Sequence, residues 1–260
     1  MERLAHVSLE LGGKNPAIVF PDGVDDDLVD GLLLAARFTR QGQSCTAGSR
    51  LFLHEDIHDE VLGRYVERLR QLKVGDPLDE ATDMGAIINE KQFTSVCGYL
   101  DEGRDNPQLT VALGGSAPTE GPLTDGYYLT PTVFDGADNT WRLAREEIFG
   151  PVVVVIPWRD VDDVVRMAND THYGLSAFIF SHDLDQALTT AHRIEAGWVQ
   201  INQGGGQVVG QAYGGYKQSG TGREVSLEGM LAGFTQTKQV NVRLGAPTAP
   251  AGQHVRAAGA

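Results

Sequence analysis

A lone cysteine among glycines has the setting that covalent chemistry needs: Cys45 stands in Gln41-Gly42-Gln43-Ser44-Cys45-Thr46-Ala47-Gly48-Ser49-Arg50. Glycines let backbone amides come close to a ligand, so a thiolate at this point could act as a nucleophile with amide donors beside it. The other reading is a small apolar residue at a helix-to-strand junction, the usual place of a single cysteine. Upstream, Leu9-Glu10-Leu11-Gly12-Gly13-Lys14-Asn15-Pro16 sets a carboxylate beside a glycine pair, and downstream stands Glu146-Glu147-Ile148-Phe149-Gly150-Pro151. A neutral thiol is a poor nucleophile, and Glu10 could take its proton directly or through water.

These segments need elements to carry them. An apolar run at 17–20 between Pro16 and Pro21 predicts a buried strand. Acids at its start and Leu28, Leu32, Leu33, Ala36 and Phe38 further on predict an amphipathic helix over 25–40, which delivers the chain to Cys45. A strand at 50–53 and a helix over 57–69 follow, then a helix over 89–102 with Phe93, Val96, Cys97 and Leu100 on one face, which makes Cys97 a core residue. Strands are expected at 110–113 and 128–134. The valine-rich run 151–156 is too apolar for a sheet with one wet face and predicts a strand covered on both sides. A helix over 161–169, a strand at 176–180, a helix over 184–194 and a strand at 198–202 complete the alternation. Such alternation predicts an α/β fold with a mostly parallel sheet covered by helices. A helix over 224–231 and an alternating strand over 234–244 are expected next, and the Ala/Gly/Pro tail 245–260 has little to bury and reads as disordered.

The chain has 260 residues and a formal net charge of −14, which argues against nucleic acid and anionic membrane as partners. Cys45 and Cys97 make no disulfide framework and lack the spacing of a metal site, so a reduced cytoplasm and no metal are expected. The first residues lack an apolar signal core, and no apolar run approaches the length of a membrane helix.

LELGGK, QGQSC and EEIFGP in this order resemble the aldehyde dehydrogenase superfamily. The resemblance runs from about Val7 to about Leu244 and covers only the second half of a usual member. It implies that Cys45 attacks the aldehyde and that Glu10 is the general base. It implies further that Glu147 holds the nicotinamide ribose of NAD or NADP and that Phe149 packs near the ring. Gln92 falls where the family has a residue facing the cofactor's ribose, a solvated polar residue being the alternative. The Cys45 backbone N–H is one oxyanion donor, whereas the family's other donor is an asparagine of the cofactor domain, which this chain lacks. No GxGxxG or GSTxxG turn stands between a strand and a helix.

On this resemblance residues 1–16 carry the glutamate loop from the edge of the cofactor domain, 17–233 form the catalytic domain, and 234–244 serve subunit association. The chain reads as a truncated reading frame or one piece of a split enzyme, and Met1 falls inside what the family makes a continuous strand and loop, so truncation is expected ahead of a designed single domain. The substrate is a small aldehyde, with Ser44, Thr46 and the 203–213 loop lining its pocket, and the partner is a second copy or a separate cofactor-domain fragment. The implied activity is oxidation of an aldehyde to a carboxylic acid through a cysteine thiohemiacetal and thioester, impaired in this chain alone. A catalytically silent assembly module and a residual thiol esterase are the alternatives.

Overall fold

The computed structural model describes residues 6–244. The expectations for the tail 245–260 and for the first five residues lie outside the described residues. The strands are β1 (Leu9–Glu10), β2 (Asn15–Val19), β3 (Gly48–His54), β4 (Thr110–Leu113), β5 (Thr132–Asp135), β6 (Val152–Trp158), β7 (Ser176–Phe180), β8 (Trp198–Ile201) and β9 (Gly220–Thr221). The helices are α1 (Leu28–Ala36), α2 (His58–Arg70), α3 (Glu90–Asp105), α4 (Arg142–Arg145), α5 (Val161–Asn169), α6 (Leu184–Arg193) and α7 (Leu227–Phe234).

Side chains alternate across a strand, and in β6 both sets are apolar. Val152, Val154 and Ile156 enter one core cluster, while Val153 and Val155 enter another. The first core is closed by α3, α5 and α6 through Val96, Leu100, Val164 and Ala187. The second is closed by α1 and α2 through Leu28, Leu32, Val61, Tyr65 and Leu69. The valine run is therefore covered on both sides, as its composition predicts.

The seven-stranded sheet has the order β4-β5-β6-β3-β2-β7-β8. Every neighbouring pair is parallel except β4 with β5. This order decides where the motifs go. LELGGK leads into β2, the Cys45 loop into β3 and EEIFGP into β6, and these three parallel strands are neighbours. Parallel strands begin at the same end of the sheet at a spacing of about 4.8 Å, so the loops that feed them meet.

Four sequence expectations are corrected. The helix predicted over 25–40 stops at Ala36, because Arg37 turns left-handed at φ 58° and a 3-10 turn covers Phe38–Arg40. Arg37 is held in that turn by donating from Nη1 to Leu34 O and Gly204 O and from Nη2 to Gly205 O. The strand predicted at 128–134 begins only at Thr132, after Pro131, which has no N–H for a ladder. Phe234 closes α7, and residues 235–244 have no ladder partner among the described residues. Alternation gives that segment the side chains of a strand but not the neighbouring edge that its backbone needs. Cys97 is also less buried than expected, lying half-buried against the first core. Among the described residues no helix is long and apolar enough to cross a membrane.

Candidate active site

The turn that ends α1 continues through Gln41 at φ 56° and Gly42 at φ 64°. A Cβ on Gly42 would stand 2.0 Å from Gly150 O, so the Cys45 loop touches the EEIFGP loop at a place only glycine can occupy. A Cβ on Gly13 would stand 2.4 Å from Cys45 O, and one on Gly12 would stand 2.3 Å from Glu147 Oε2. The glycine pair is thus the wedge between the cysteine loop and Glu147.

Hydrogen bonds lock these contacts. Asn15, buried at the start of β2, donates from Nδ2 to Cys45 O at 2.8 Å and to Ala47 O at 2.9 Å. Its Oδ1 accepts from Ser176 N at 3.0 Å, which ties β7 into the same joint. Gly13 N donates to Glu147 Oε1 at 2.9 Å. Arg50, with no exposed surface, donates to Lys14 O, Asn139 Oδ1, Met167 O and Ala168 O, and so holds the LELGGK loop from below.

Glu10 is held from the other side. In β1 it pairs with Gly220 of β9, and Leu11 N donates to Ser219 O at 3.0 Å. Ser219 Oγ donates to Gly12 O at 2.6 Å while accepting from Gly174 N at 2.9 Å. Burial first, then the charge of Glu224, raises the proton affinity of Glu10, and Arg223 and Tyr213 oppose the rise. One Glu10 oxygen, Oε2, is buried with no hydrogen-bond partner. A carboxylate with an unsatisfied oxygen and a raised pKa is suited to taking a proton.

Cys45 is half-buried and packs against the cluster of Leu175, Trp198 and Tyr213. Its Sγ lies 3.5 Å from Tyr213 Oη. Its backbone N–H has no acceptor among the described residues. Burial, then Arg40, lowers the Arg37 pKa, and Tyr213 and Cys45 oppose the drop. Ser44 and Thr46 bond each other through their hydroxyls at 3.1 Å.

Glu147 is half-buried, and burial raises its pKa against the bond from Gly13 and the charge of Lys14. Only its Oε1 is engaged. Phe149 takes φ 54° and keeps 36% of its surface exposed. Gln92 Nε2 donates to Ile148 O at 2.9 Å and Phe149 O at 3.0 Å, so this amide fixes the EEIFGP loop. Glu146 turns away to accept from Tyr99 Oη and Arg142 Nε.

The structure therefore brings Cys45, Glu10, Glu147, Phe149 and Gln92 into one region. Sequence reasoning did not single out Asn15, Arg50, Arg37 or Ser219, whose roles depend on partners remote in the chain. Tyr213 was legible only as the end of a pocket-lining loop.

Residues 1–240 match the aldehyde dehydrogenase family, and the chain belongs to it. It is 44% identical over 243 residues to hydroxyisobutyraldehyde dehydrogenase of Mycolicibacterium austroafricanum, covering 94% of this chain and 47% of that protein. It is 40% identical over 249 residues to betaine aldehyde dehydrogenase of Brucella anthropi, covering 96% of this chain and 50% of the relative. The chain thus spans about half the length of the curated relatives it matches. Its fold is similar to betaine aldehyde dehydrogenase from Staphylococcus aureus, solved in complex with NAD+, with TM-score 0.82, 36% identity and coverage of 86% of this chain and 44% of that one. A mutant aldehyde dehydrogenase from Bacillus cereus is similar at TM-score 0.82 and 35% identity, with coverage of 89% and 46%.

Proposed function

We propose that this chain supplies the nucleophile and the base of an enzyme that oxidises a small aldehyde to a carboxylic acid with NAD or NADP. One observation carries the reading: the loops of Glu10, Cys45 and Glu147 interlock through Gly12, Gly13 and Gly42, where added Cβ atoms would meet neighbours at 2.0–2.4 Å. The relatives' names, betaine aldehyde and hydroxyisobutyraldehyde dehydrogenases, support a small aldehyde as substrate.

In this reading the Cys45 thiolate adds to the carbonyl carbon. The oxyanion of the resulting thiohemiacetal lies beside the Cys45 N–H, which is free to donate to it. A bound nicotinamide supplies the acceptor for the hydride that leaves that carbon. Glu10 then takes a proton from water as the water attacks the thioester, and release of the acid returns the thiolate.

The residues present fit such a cofactor at its nicotinamide end. Glu147 has one carboxylate oxygen uncommitted to the fold, suited to a sugar hydroxyl, and Phe149 offers an exposed ring edge. Gln92 orders that loop through the Ile148 and Phe149 carbonyls. Residues 17–233 form the catalytic domain, and 1–16 bring in the loop of the base. Exposed Val240, Val242 and Leu244 suit the 234–244 segment to contact with a second copy or a separate cofactor-domain fragment.

Iodoacetamide labelling near neutral pH, mapped by peptide, tests the nucleophile. Cys45 is expected to react well ahead of Cys97, whose thiol is pushed up by burial and then by Asp101. Cys97 labelling first, or both thiols equally slow in the folded protein, removes the assignment.

A further inference from the structure

We propose that the Tyr213 hydroxyl is a catalytic hydrogen-bond donor to the Cys45 thiolate, a role that rests on the assignment of Cys45 as nucleophile above. Tyr213 Oη stands 3.5 Å from Cys45 Sγ, within reach of a sulfur hydrogen bond, and this is the hydroxyl's one such contact among the described residues. A thiolate carries no proton, so in the reactive form the phenol O–H has to be the donor. The hydroxyl thus touches the reacting atom itself.

The fold fixes where that O–H sits. The Tyr213 ring is 7% exposed and packs edge-on against Trp198 of β8 at 6.0 Å between centroids. Trp198 in turn meets Phe178 of β7 edge-on at 6.3 Å. The backbone is pinned twice, since Tyr213 N donates to Glu224 O at 2.9 Å and Glu224 N donates to Tyr213 O at 2.7 Å. Just beyond, a Cβ on Gly197 would stand 1.7 Å from Gly214 O, so the segment rests on the residue that precedes β8. Arg223 Nη1 closes the same segment by donating to Gly215 O at 3.2 Å. On the other side Asn15 holds the cysteine through Cys45 O. Two segments remote in sequence are each held by their own contacts, and together they set a hydroxyl against a sulfur. A donor fixed in this way needs no reorganisation when charge appears.

A hydrogen bond made to the charged form of a group favours that form. When the thiol ionises, the S–H bond breaks, both its electrons stay on sulfur, and the proton goes to water or Glu10. The Tyr213 O–H stays whole and donates to the new charge. For this the phenol must keep its proton where the thiol has lost its own. Burial first, and then the bond to Cys45, pushes the phenol far above its ordinary range, which meets that need. The charged and titratable groups around the pair are Glu10 of β1, Arg37 after α1, and Arg223 and Glu224 just after β9. Tyr213→Phe leaves all four in place and fills the same space against Trp198, so it removes the donor alone.

The test follows Cys45 alkylation by iodoacetamide, mapped by peptide, from neutral into alkaline pH. The parent is compared with Tyr213→Phe and with a chain carrying a ring-fluorinated tyrosine at that position, whose more acidic phenol is the stronger donor. Tyr213→Phe is expected to move the midpoint of the rate profile up by about one pH unit and to slow labelling at neutral pH about tenfold, the size of a hydrogen bond to an ionised group. At alkaline pH, where the thiol is ionised in both, the variant labels at least as fast as the parent. The fluorinated chain is expected to move the midpoint the other way. A Tyr213→Phe midpoint that stays put or falls overturns the donor, as does a rate lowered equally at every pH, which reports access to the sulfur. Should Cys97 label faster in Tyr213→Phe, packing has loosened and the fluorinated chain decides: a lowered midpoint upholds the donor and an unmoved one overturns it. A parent in which Cys45 does not label ahead of Cys97 removes the nucleophile assignment and the donor with it, whereas labelling ahead of Cys97 with an unmoved midpoint removes the donor alone.

Discussion

Lys14 lies in the LELGGK loop at 1% exposure, with no hydrogen-bond partner for Nζ. Burial, helped by Arg50 and opposed by Glu147 and Glu146, pushes its amine down to about 7. The unfolded chain holds this proton up to the ordinary lysine range, whereas the folded chain loses it near neutrality. Between those two pH values folding releases a proton, so stability rises with pH, and the full penalty applies below the folded value. Lys14→Met is therefore expected to raise the melting temperature at neutral pH, by about 2–4 °C for each kcal/mol recovered. The gain shrinks as pH climbs toward the lysine range. Calorimetry across pH checks this, and a variant less stable at every pH contradicts it. Nothing in the sequence marks Lys14 as buried, because burial depends on Arg50 and the sheet closing beneath it. Cys45 and Glu10 were legible because their neighbours in sequence carry the signal. The partner of Tyr213 is 168 residues away in the chain, and no local pattern reports such a contact.

Asn15 is where loop and sheet meet, and its amide serves β2, the Cys45 loop and β7 at once. Removing it leaves Cys45 O, Ala47 O and Ser176 N without this partner, and each such buried group costs about 1–3 kcal/mol. Asn15→Ala is expected to lose about 3 kcal/mol or more in denaturant unfolding and to slow Cys45 labelling, since the loop is no longer held. A variant within about 0.5 kcal/mol of the parent would show that the joint does not depend on this amide. The elements themselves were largely readable: hydrophobic periodicity located β7 and α5 with the same limits the structure gives. What periodicity cannot supply is strand order, and it is the adjacency of β6, β3 and β2 that gathers the three motifs. The break after Ala36 was hidden for a related reason, because the carbonyls that hold Arg37 lie at Gly204 and Gly205. The unformed strand at 235–244 shows the reverse case, in which a correct side-chain pattern finds no edge among the described residues.

At the scale of the molecule, the two-sided core was legible from the valine run, whereas the surface pattern was not. Leu9 and Leu11 flank Glu10 with exposed side chains, and Leu227, Met230, Leu231 and Phe234 are exposed along α7. Apolar surface of this kind marks an interface or an aggregation liability. It fits a reading in which catalysis by the whole enzyme needs more surface than this chain carries. Acyl transfer does not share that need, since Cys45, its N–H and Glu10 all lie in the 260 residues and an ester requires no hydride acceptor. The most direct measurement is therefore mass spectrometry of the chain mixed with an activated aryl ester, followed by peptide mapping. The account predicts an acyl group on Cys45, none in Cys45→Ser, and an adduct in Glu10→Gln that persists about a hundredfold longer than in the parent. Acylation elsewhere with Cys45 unmodified, or ester hydrolysis at the parent rate in Cys45→Ser, would contradict it.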